Sequence, residues 1–199
     1  MRIAVLALQG AFVEHEQMLN GLGVETFEVR QLQDWQQHKD ALIIPGGEST
    51  TQNHLLKTEG LLSPIHQAIL NGLPVFGTCA GLILLAQQED GHLRQGLCTM
   101  DIDVCRNAYG RQLGSFNARG EVSGIAMDYP MTFIRAPYVH RTLSSDVEIL
   151  SEVEGHIVAV RQRHQLATAF HPELTADSRL HRYFIERVIS STNCQTPKL

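Results

Sequence analysis

One cysteine of this chain stands where enzymes commonly place a nucleophile. Cys79 follows the short apolar segment 75–76 and precedes the apolar run 82–86. Gly77 and Gly81 flank it with the spacing Gly-x-Cys-x-Gly, which lets the backbone bend sharply between a strand and a helix. At a helix N-terminus the dipole and the free backbone N–H groups favour thiolate over thiol. The pattern indicates a catalytic cysteine, and a cysteine packed beneath a helix is the alternative.

Two consecutive glycines form a second candidate element. Gly46 and Gly47 follow the apolar run 41–44, at the predicted carboxyl end of a strand, where ligands of open α/β sheets usually bind. Without side chains, the backbone there can bring an N–H close to a substrate oxygen, as an oxyanion hole requires. The alternative is an ordinary turn from a strand into a helix that Ser49 and Thr50 cap.

A histidine followed by a carboxylate supplies the parts of a general base and its orienter. His171 ends the apolar segment 165–170, and Glu173 follows beyond Pro172. The proline restricts the histidine backbone, and the carboxylate can accept the Nδ1 proton while Nε2 faces a nucleophile. An exposed loop histidine is the alternative, because the chain has ten histidines. We interpret the others as surface or structural residues: His15, His38, His54, His66, His92, His140, His156, His164 and His181.

The composition is that of a globular protein without a strong charge bias. The chain has 199 residues, of which 43% are hydrophobic and 19% charged, and its formal net charge is -5. Basic residues are scattered, so no stripe suggests nucleic-acid binding. The apolar start is too short for a signal peptide, and no segment has the length of a membrane span. We expect a single cytoplasmic domain over residues 1–199 that binds neither nucleic acid nor membrane.

The four cysteines do not form a recognisable metal or disulfide pattern. Cys79, Cys98, Cys105 and Cys194 contain no C-x-x-C pair. We therefore expect reduced thiols, no metal site and no cofactor.

The elements that must position these residues alternate between strand and helix patterns in the first 90 residues. This alternation predicts a parallel, doubly wound sheet, with strands at 2–8, 24–29, 41–44 and 75–76 and helices at 11–22, after residue 49, 65–70 and 82–86. After residue 91 the patterns predict a largely antiparallel extension, with strands at 100–106, 131–134, 147–153, 156–163 and 165–170. A helix is predicted over 180–189, and residues 193–199 are expected to form a flexible tail. We predict a three-layer α/β/α fold whose central sheet is mostly parallel, with a smaller antiparallel extension.

Three blocks together resemble the class I, triad-type glutamine amidotransferases, which have a flavodoxin-like fold. They are residues 77–81 (Gly-Thr-Cys-Ala-Gly), 45–49 (Pro-Gly-Gly-Glu-Ser) and 170–173 (Phe-His-Pro-Glu). Further blocks are similar to the glutaminase subunits of pyridoxal 5'-phosphate synthase, namely residues 6–15, 46–51, 105–112 and 133–137. The resemblance runs from residue 2 to about residue 187, and it implies one glutamine amidotransferase domain.

The resemblance implies a role for each residue that matches a family motif. Cys79 would attack the side-chain amide of glutamine, with His171 as general base and acid and Glu173 as its orienter. Ammonia leaves, and water then hydrolyses the glutamyl thioester. The backbone N–H groups of Gly47 and Ala80 would form the oxyanion hole.

Substrate binding is implied for a further set of residues. The family binds glutamine through positions that match Gly47, Glu48, Ser49, Arg106, Ile134 and Arg135. An arginine suits the α-carboxylate of the substrate, because it donates charge-assisted and bidentate hydrogen bonds. Without the resemblance, Arg106 and Arg135 would be interpreted as members of surface salt bridges.

The resemblance also implies a partner, a separate (β/α)8-barrel synthase subunit that consumes the ammonia in a hetero-oligomer. Such glutaminases are typically inactive until they dock. Reorientation of the peptide between Gly46 and Gly47, with Gln9 nearby, is the activation that we expect.

The chain departs from the family pattern in one loop. Where relatives read Gln-Val-Asp-Ser-Phe-Glu, residues 112–117 read Gln-Leu-Gly-Ser-Phe-Asn, so Gly114 and Asn117 replace two acidic residues. Local loop geometry and docking are thereby in question. Three other interpretations stay open: an amidotransferase subunit of another pathway, a cysteine hydrolase or redox chaperone of related fold, and a non-catalytic regulatory protein with a cysteine elbow.

Overall fold

The computed structural model describes residues 1–106 and 114–190. The predicted tail at 193–199 and most of the 105–112 block lie outside these residues. The strands are β1 (Arg2–Leu6), β2 (Glu25–Val29), β3 (Ala41–Ile44), β4 (Val75–Thr78), β5 (Ala86–Glu89), β6 (His92–Leu93), β7 (Met100–Cys105), β8 (Ser115–Val122), β9 (Ala126–Ile134), β10 (Tyr138–Thr142), β11 (Val147–Val153), β12 (His156–Gln162) and β13 (Gln165–Thr168). The helices are α1 (Phe12–Gly21), α2 (Leu32–Trp35), α3 (Ser49–Thr58), α4 (Leu62–Leu70), α5 (Ala80–Leu85) and α6 (Arg179–Tyr183), which continues as a π-helix over Phe184–Ile189.

A parallel sheet forms the centre of the fold. Its strand order is β2-β1-β3-β4-β13, and every neighbouring pair in this series is parallel. The strand order reverses at β1, so right-handed connections place helices on both faces. Strands β3, β4 and β13 are buried at every residue, as expected where helices cover both faces.

Side chains from β4 show which helices lie on which face. The Phe76 ring contacts His181 of α6 and Phe184, with centroid separations of 5.5 and 5.6 Å. It also meets His15 of α1 edge-on at 6.1 Å. Gly77, the next residue, faces the opposite side and lies against Gly81 of α5. The predicted α/β/α arrangement with a largely parallel centre is confirmed.

The antiparallel part continues the same sheet. Beyond β13 the order is β12-β10-β7-β5-β6, with β11 also paired to β12, and β8 and β9 form a separate two-stranded sheet. The predicted extension is confirmed, but the strand predicted over 165–170 belongs to it on one side only. Strand β13 pairs in parallel with β4 on one side and antiparallel with β12 on the other. Four buried residues in a row carry no local signal that distinguishes these two pairings.

Several elements were not predicted from sequence. These are strand β8, whose alternating burial continues through Gly120, strand β10, the β5–β6 hairpin and the single-turn α2. Among the described residues, no helix is both long and apolar enough to cross a membrane. The single-domain organisation of residues 1–199 stays a prediction.

Helix α5 lies unusually close to the sheet because its second residue has no side chain. A Cβ atom at Gly81 would overlap the backbone carbonyl oxygen of Ile44 at the end of β3. Since a backbone atom inside a sheet cannot move aside cheaply, only glycine fits there. The close approach fixes where α5 begins, and therefore where Cys79 lies.

Substitution of Gly81 by alanine is expected to destabilise the fold. Overpacking against Ile44 should lower the free energy of unfolding by about 1–3 kcal/mol, measured by urea denaturation. Gly21→Ala is the matched control. Gly21 is the last residue of α1, and a Cβ there meets nothing within 4 Å. The control should raise the free energy of unfolding by up to about 1 kcal/mol. Equal effects of both substitutions would contradict the close-packing explanation.

Candidate active site

Cys79 occupies a strained turn between β4 and α5. Its backbone has φ 48° and ψ -98°, a conformation that residues with a side chain rarely adopt. Its N–H donates a 2.7 Å hydrogen bond to the carbonyl of Thr168, the last residue of β13. The residue is only 6% exposed. The turn therefore holds the thiol at the carboxyl edge of the sheet in one direction.

His171 reaches Cys79 because β13 lies beside β4. Thr168 is paired with Thr78, so the chain beyond each strand emerges at the same edge of the sheet. The His171 N–H donates to the carbonyl of Thr132 on β9 at 2.8 Å, which fixes its backbone. Its side chain lines the same cavity as that of Cys79. Residues that are 92 positions apart in sequence thus meet through one strand pairing.

Glu173 lies behind His171 as the sequence predicts. It belongs to a 3₁₀ turn, Pro172–Leu174, and its Oε1 lies 2.7 Å from His171 Nδ1. The carboxylate is completely buried. The distance and burial favour a strong bond in which the imidazole Nδ1–H donates to the carboxylate, leaving Nε2 for Cys79.

Electrostatics favour the charged forms of these groups. Burial alone would lower the pKa of His171, but its interactions with Cys79 and with Glu173 raise it to about 10. Burial would raise the pKa of Glu173, but the neighbouring His15 ring and the bond to His171 lower it overall. The imidazole is therefore protonated at neutral pH.

One cavity of about 330 Å³ collects most of the predicted site residues. Its walls contain Gln9, Gly47, Glu48, Ser49, Cys79, Arg106, Ile134, Arg135 and His171, together with Ile83 and Pro137, which the sequence did not single out. Three predicted residues are outside the lining. Glu173 lies behind His171, Ala80 follows the cysteine at the start of α5, and Gly46 packs against the His171 ring.

The loop that precedes α3 is held by Glu48. Its carboxylate accepts hydrogen bonds from the N–H groups of Thr50 and Thr51, at 3.0 and 2.7 Å, and from the Thr51 hydroxyl. The prediction that Ser49 and Thr50 cap this helix is wrong, because the longer Glu48 side chain reaches the free N–H groups first. Slight burial opposes ionisation, but these bonds lower the pKa of Glu48 to about 2.

Arg106 crosses the cavity rim toward the same loop. Its guanidinium donates to the Ser49 hydroxyl at 2.8 Å and to the Thr50 hydroxyl at 3.3 Å, and its Nε lies 2.6 Å from Glu89 Oε1. Because Glu48 serves the helix cap, Ser49 is available to this arginine. Two hydroxyl groups and the Glu89 carboxylate thus hold the guanidinium at the cavity.

The opposite wall is formed by Ile134 and Arg135. Arg135 has φ 42°, and its N–H donates to the carbonyl of Gly114 at 2.6 Å. The Ile134 carbonyl accepts a long hydrogen bond of 4.0 Å from the Cys79 thiol. Gly114 and Asn117, the two departures from the family pattern, are both exposed. The two departures therefore change the outer surface of this wall. Gly114 contacts the wall through its backbone carbonyl, which accepts from the Arg135 N–H.

The Gly46–Gly47 loop is tied to the end of β1. The Gly46 carbonyl accepts from the Ala11 N–H at 3.0 Å, and the Glu48 N–H donates to Gln9 Oε1 at 2.7 Å. The Gln52 amide donates to the Gln9 carbonyl at 2.8 Å. Gln9 and Ala11 thus link the segment after the first strand to this loop.

One buried residue beside the triad was missed by the sequence interpretation. His15, assigned as surface or structural, is fully buried, and its Nε2 lies 3.4 Å from Glu173 Oε2. The sequence did contain one indication of a role near the site, because His15 lies within the block 6–15 that resembles the family. Ile83 could have been found from its position one helical turn after Cys79.

Three comparisons with known proteins agree with this geometry. Residues 5–190 match the model of the SNO glutamine amidotransferase family. The chain is 54% identical over 189 residues to the pyridoxal 5'-phosphate synthase subunit PdxT of Streptococcus pneumoniae (strain CGSP14), a match that covers 94% of this chain and 96% of that protein. A crystal structure described as glutamine amidotransferase is 44% identical with a TM-score of 0.87, and the match covers 94% of this chain and 98% of that one.

A more distant structure supports the fold alone. A Thermoplasma acidophilum protein, described as a candidate GMP synthase component, is 18% identical. It has a TM-score of 0.71, and the match covers 98% of this chain and 97% of that one. The predicted resemblance and the flavodoxin-like fold class are confirmed.

The capping role of Glu48 predicts a pH-dependent contribution to stability. A lowered pKa in the folded state stabilises the protein fully above the ordinary carboxyl pKa of 4.5, and the contribution is lost as pH falls toward 2. Glu48→Gln should therefore cost about 1 kcal/mol of unfolding free energy at pH 7 and progressively less from pH 4.5 to pH 2. Urea denaturation across this range measures the difference.

Glu152→Gln provides the control for this series. Glu152 is an exposed carboxylate on β11, far from any helix end. Its substitution should leave the pH dependence of stability unchanged. A Glu48→Gln effect of constant size from pH 7 to pH 2 would show that the carboxylate charge does not act as the cap.

Proposed function

The chain belongs to the SNO glutamine amidotransferase family, and from this membership we propose that it is the glutaminase subunit of a pyridoxal 5'-phosphate synthase. It hydrolyses L-glutamine to L-glutamate and ammonia. The 54% identity to PdxT across nearly the whole of both chains supports the pathway. The observation that carries the chemistry is that Cys79 and His171 line one cavity of about 330 Å³, with the Glu173 carboxylate 2.7 Å from His171 Nδ1.

Cys79 and His171 perform the two halves of the proposed reaction. The Cys79 thiolate attacks the side-chain carbonyl carbon of glutamine and forms a tetrahedral intermediate. The C–N bond breaks as the His171 imidazolium gives its Nε2 proton to the leaving nitrogen, which departs as ammonia. A water molecule then attacks the glutamyl thioester, and its proton passes to His171. Glutamate leaves, and the thiolate and imidazolium are restored.

Backbone N–H groups stabilise the oxyanion in this proposal. Ala80 is the first residue of α5, so its N–H is one of those that a helix leaves without an internal partner. Gly47 supplies the second donor from the facing loop. Ala80 follows Cys79 directly and Gly47 lines the same cavity as Cys79, at the carboxyl edge of the sheet where charge develops during the attack.

Glutamine is held by the cavity walls. Arg106 binds the α-carboxylate, which would compete for the guanidinium with the Ser49 and Thr50 hydroxyls. The backbone of residues 47–49 on one side, and Ile134 and Arg135 on the other, enclose the side chain of the substrate. The Glu48 carboxylate already serves α3, so this residue contributes through its backbone.

The partner in this proposal is a (β/α)8-barrel synthase subunit in a hetero-oligomer. Ammonia takes up a proton in water near neutral pH, so direct transfer between subunits keeps it nucleophilic. Both proteins act in the cytoplasm. The glutaminase reaction needs no cofactor, because the Cys79 thiolate supplies the nucleophile and the His171 imidazole performs the proton transfers.

Docking activates the glutaminase by reorienting the Gly46–Gly47 peptide. Two bonds now hold this loop to the end of β1, the Ala11 N–H to the Gly46 carbonyl and the Glu48 N–H to the Gln9 side chain. A partner that displaces Gln9 would release the loop. The Gly47 N–H could then turn toward the oxyanion.

Replacement of the nucleophile tests the whole proposal. Cys79→Ala should abolish glutamate release, with a loss of about 10⁴-fold or more, in the presence of a cognate synthase subunit. Cys98→Ala removes a free cysteine that does not line the cavity and should retain activity. Glutamate release measured with and without the synthase also reports activation. Activity surviving in Cys79→Ala would disprove the mechanism, and an inactive wild type under both conditions would favour a non-catalytic role.

Arg106→Gln tests carboxylate recognition. Loss of a charged hydrogen-bond donor should raise KM for glutamine by about 10- to 100-fold and change kcat little, because the interaction is the same in ground and transition states. Arg141→Gln is the control, since this arginine pairs with Asp103 away from the cavity. An unchanged KM would return Arg106 to the interpretation as a structural salt bridge.

A further inference from the structure

The Glu173 carboxylate lies between two histidines, and only one of them belongs to the proposed triad. Oε1 lies 2.7 Å from His171 Nδ1, and Oε2 lies 3.4 Å from His15 Nε2. The side chains of Glu173 and His15 are both completely buried. Oε2 has no partner in hydrogen-bonding geometry among the described residues, so the His15 nitrogen approaches it without yet completing a bond. A buried carboxylate oxygen requires a donor, and His15 is in position to supply it.

The His15 ring is itself held from both sides. Its Nδ1 lies 2.9 Å from Nε2 of His181 on α6, and its Nε2 lies 3.1 Å from the Thr78 hydroxyl. His181 is also completely buried, and its Nδ1 has no partner among the described residues. Burial lowers the pKa of both rings, so both are neutral at pH 7. Each ring therefore has one N–H and one bare nitrogen.

Only one of the two proton arrangements satisfies the carboxylate. If His15 carried its proton on Nδ1 and donated to His181, its bare Nε2 would face the negative Oε2. His181 would then hold its proton on Nδ1, a buried donor without an acceptor. If instead His181 donates from Nε2 to His15 Nδ1, the His15 proton lies on Nε2 and points toward Glu173 and Thr78. The second arrangement leaves only a bare acceptor unpaired.

We propose that His15 is a positioning residue for the triad, with its proton on Nε2, which donates to Glu173 Oε2 and holds Oε1 against His171. His181 fixes this tautomer by donating to His15 Nδ1. The inference rests on the proposed role of Glu173 as the orienter of His171. It adds a second imidazole, from α1, on the far side of the carboxylate.

The arrangement restrains the carboxylate at both oxygens. With a donor on one oxygen only, a carboxylate can rotate about its last torsion and lose the alignment of its partner. A donor on each oxygen removes that freedom, so the His171 ring keeps the direction that points Nε2 at Cys79.

Nitrogen NMR of the full chain tests the proton arrangement directly. In ¹⁵N-labelled wild-type protein at pH 7, long-range ¹H–¹⁵N spectra distinguish the Nε2–H from the Nδ1–H tautomer of each histidine. Signals that vanish in His15→Phe and in His181→Phe assign the two rings. We expect the Nε2–H tautomer in both. An Nδ1–H tautomer at His15 would overturn the proposal without reference to any activity.

Kinetics test whether His15 acts through Glu173. With a cognate synthase present, His15→Phe keeps the ring beside Phe76 but loses the donor, and kcat should fall about tenfold with KM for glutamine within about twofold. His15→Gln places an amide donor near the position of Nε2 and should recover most of the rate. In the background of Glu173→Gln, the further change His15→Phe should have no effect on kcat.

The controls separate this inference from the proposed function. His164 lies at the opposite end of β13 from the site, and its ring forms a hydrogen bond with the Ile69 carbonyl. The control variant His164→Phe removes this ring and should leave kcat unchanged. The midpoints of urea denaturation show which variants fold. If His15→Phe does not fold, the kcat of His15→Gln is used for the test. Additive losses in the double variant, or a wild-type kcat in His15→Phe, would overturn the role of His15. A wild-type kcat in Glu173→Gln would instead disprove the triad.

Discussion

The parallel pairing of β4 with β13 is the interaction on which the site depends. These strands are 87 or more residues apart in sequence, yet Thr78 and Thr168 are opposite each other, and the Cys79 N–H continues the ladder to the Thr168 carbonyl. The pairing decides that thiol and imidazole emerge at one edge of one sheet. A slip by one residue would turn every side chain of β13 to the other face and remove His171 from the cysteine. The buried, helix-covered sheet prevents that slip.

The same edge concentrates conformational strain. Cys79 and Arg135 both have positive φ, and both border the cavity. Each such residue costs about 1–3 kcal/mol, which the surrounding packing must offset. Close packing beneath the site offsets this cost and restricts movement of the backbone. Gly81 lies against the Ile44 carbonyl, and Phe76 packs between α1 and α6. Rigid packing below the site thus holds strained backbone around it, so that substrate binding need not reorganise the reacting groups.

The sequence specified the local features well and the long-range ones poorly. Strands β3 and β11 have the predicted bounds, because apolar runs between turn residues are local signals. The predicted cavity residues also lie together, because the resemblance to one family implied a shared site for segments that are remote in sequence. The direction of β13, the Glu48 cap and the buried His15 were missed. Each depends on a neighbour that is remote in sequence or on the reach of one side chain, and neither periodicity nor propensity encodes those.

The contact between Gly46 and the His171 ring has an evolutionary consequence. A Cβ atom at position 46 would overlap the imidazole, so this residue cannot acquire a side chain without displacing the general base. In the proposed activation, the same residue also belongs to the peptide that moves. Position 46 is therefore constrained twice, by its contact with the His171 ring and by its part in the proposed activation. A substitution there cannot change the glutaminase rate of the undocked subunit without also affecting the general base. Lineages that need a higher or lower resting rate must obtain it through residues that touch the loop from outside, of which Gln9 is the nearest in the bonding scheme.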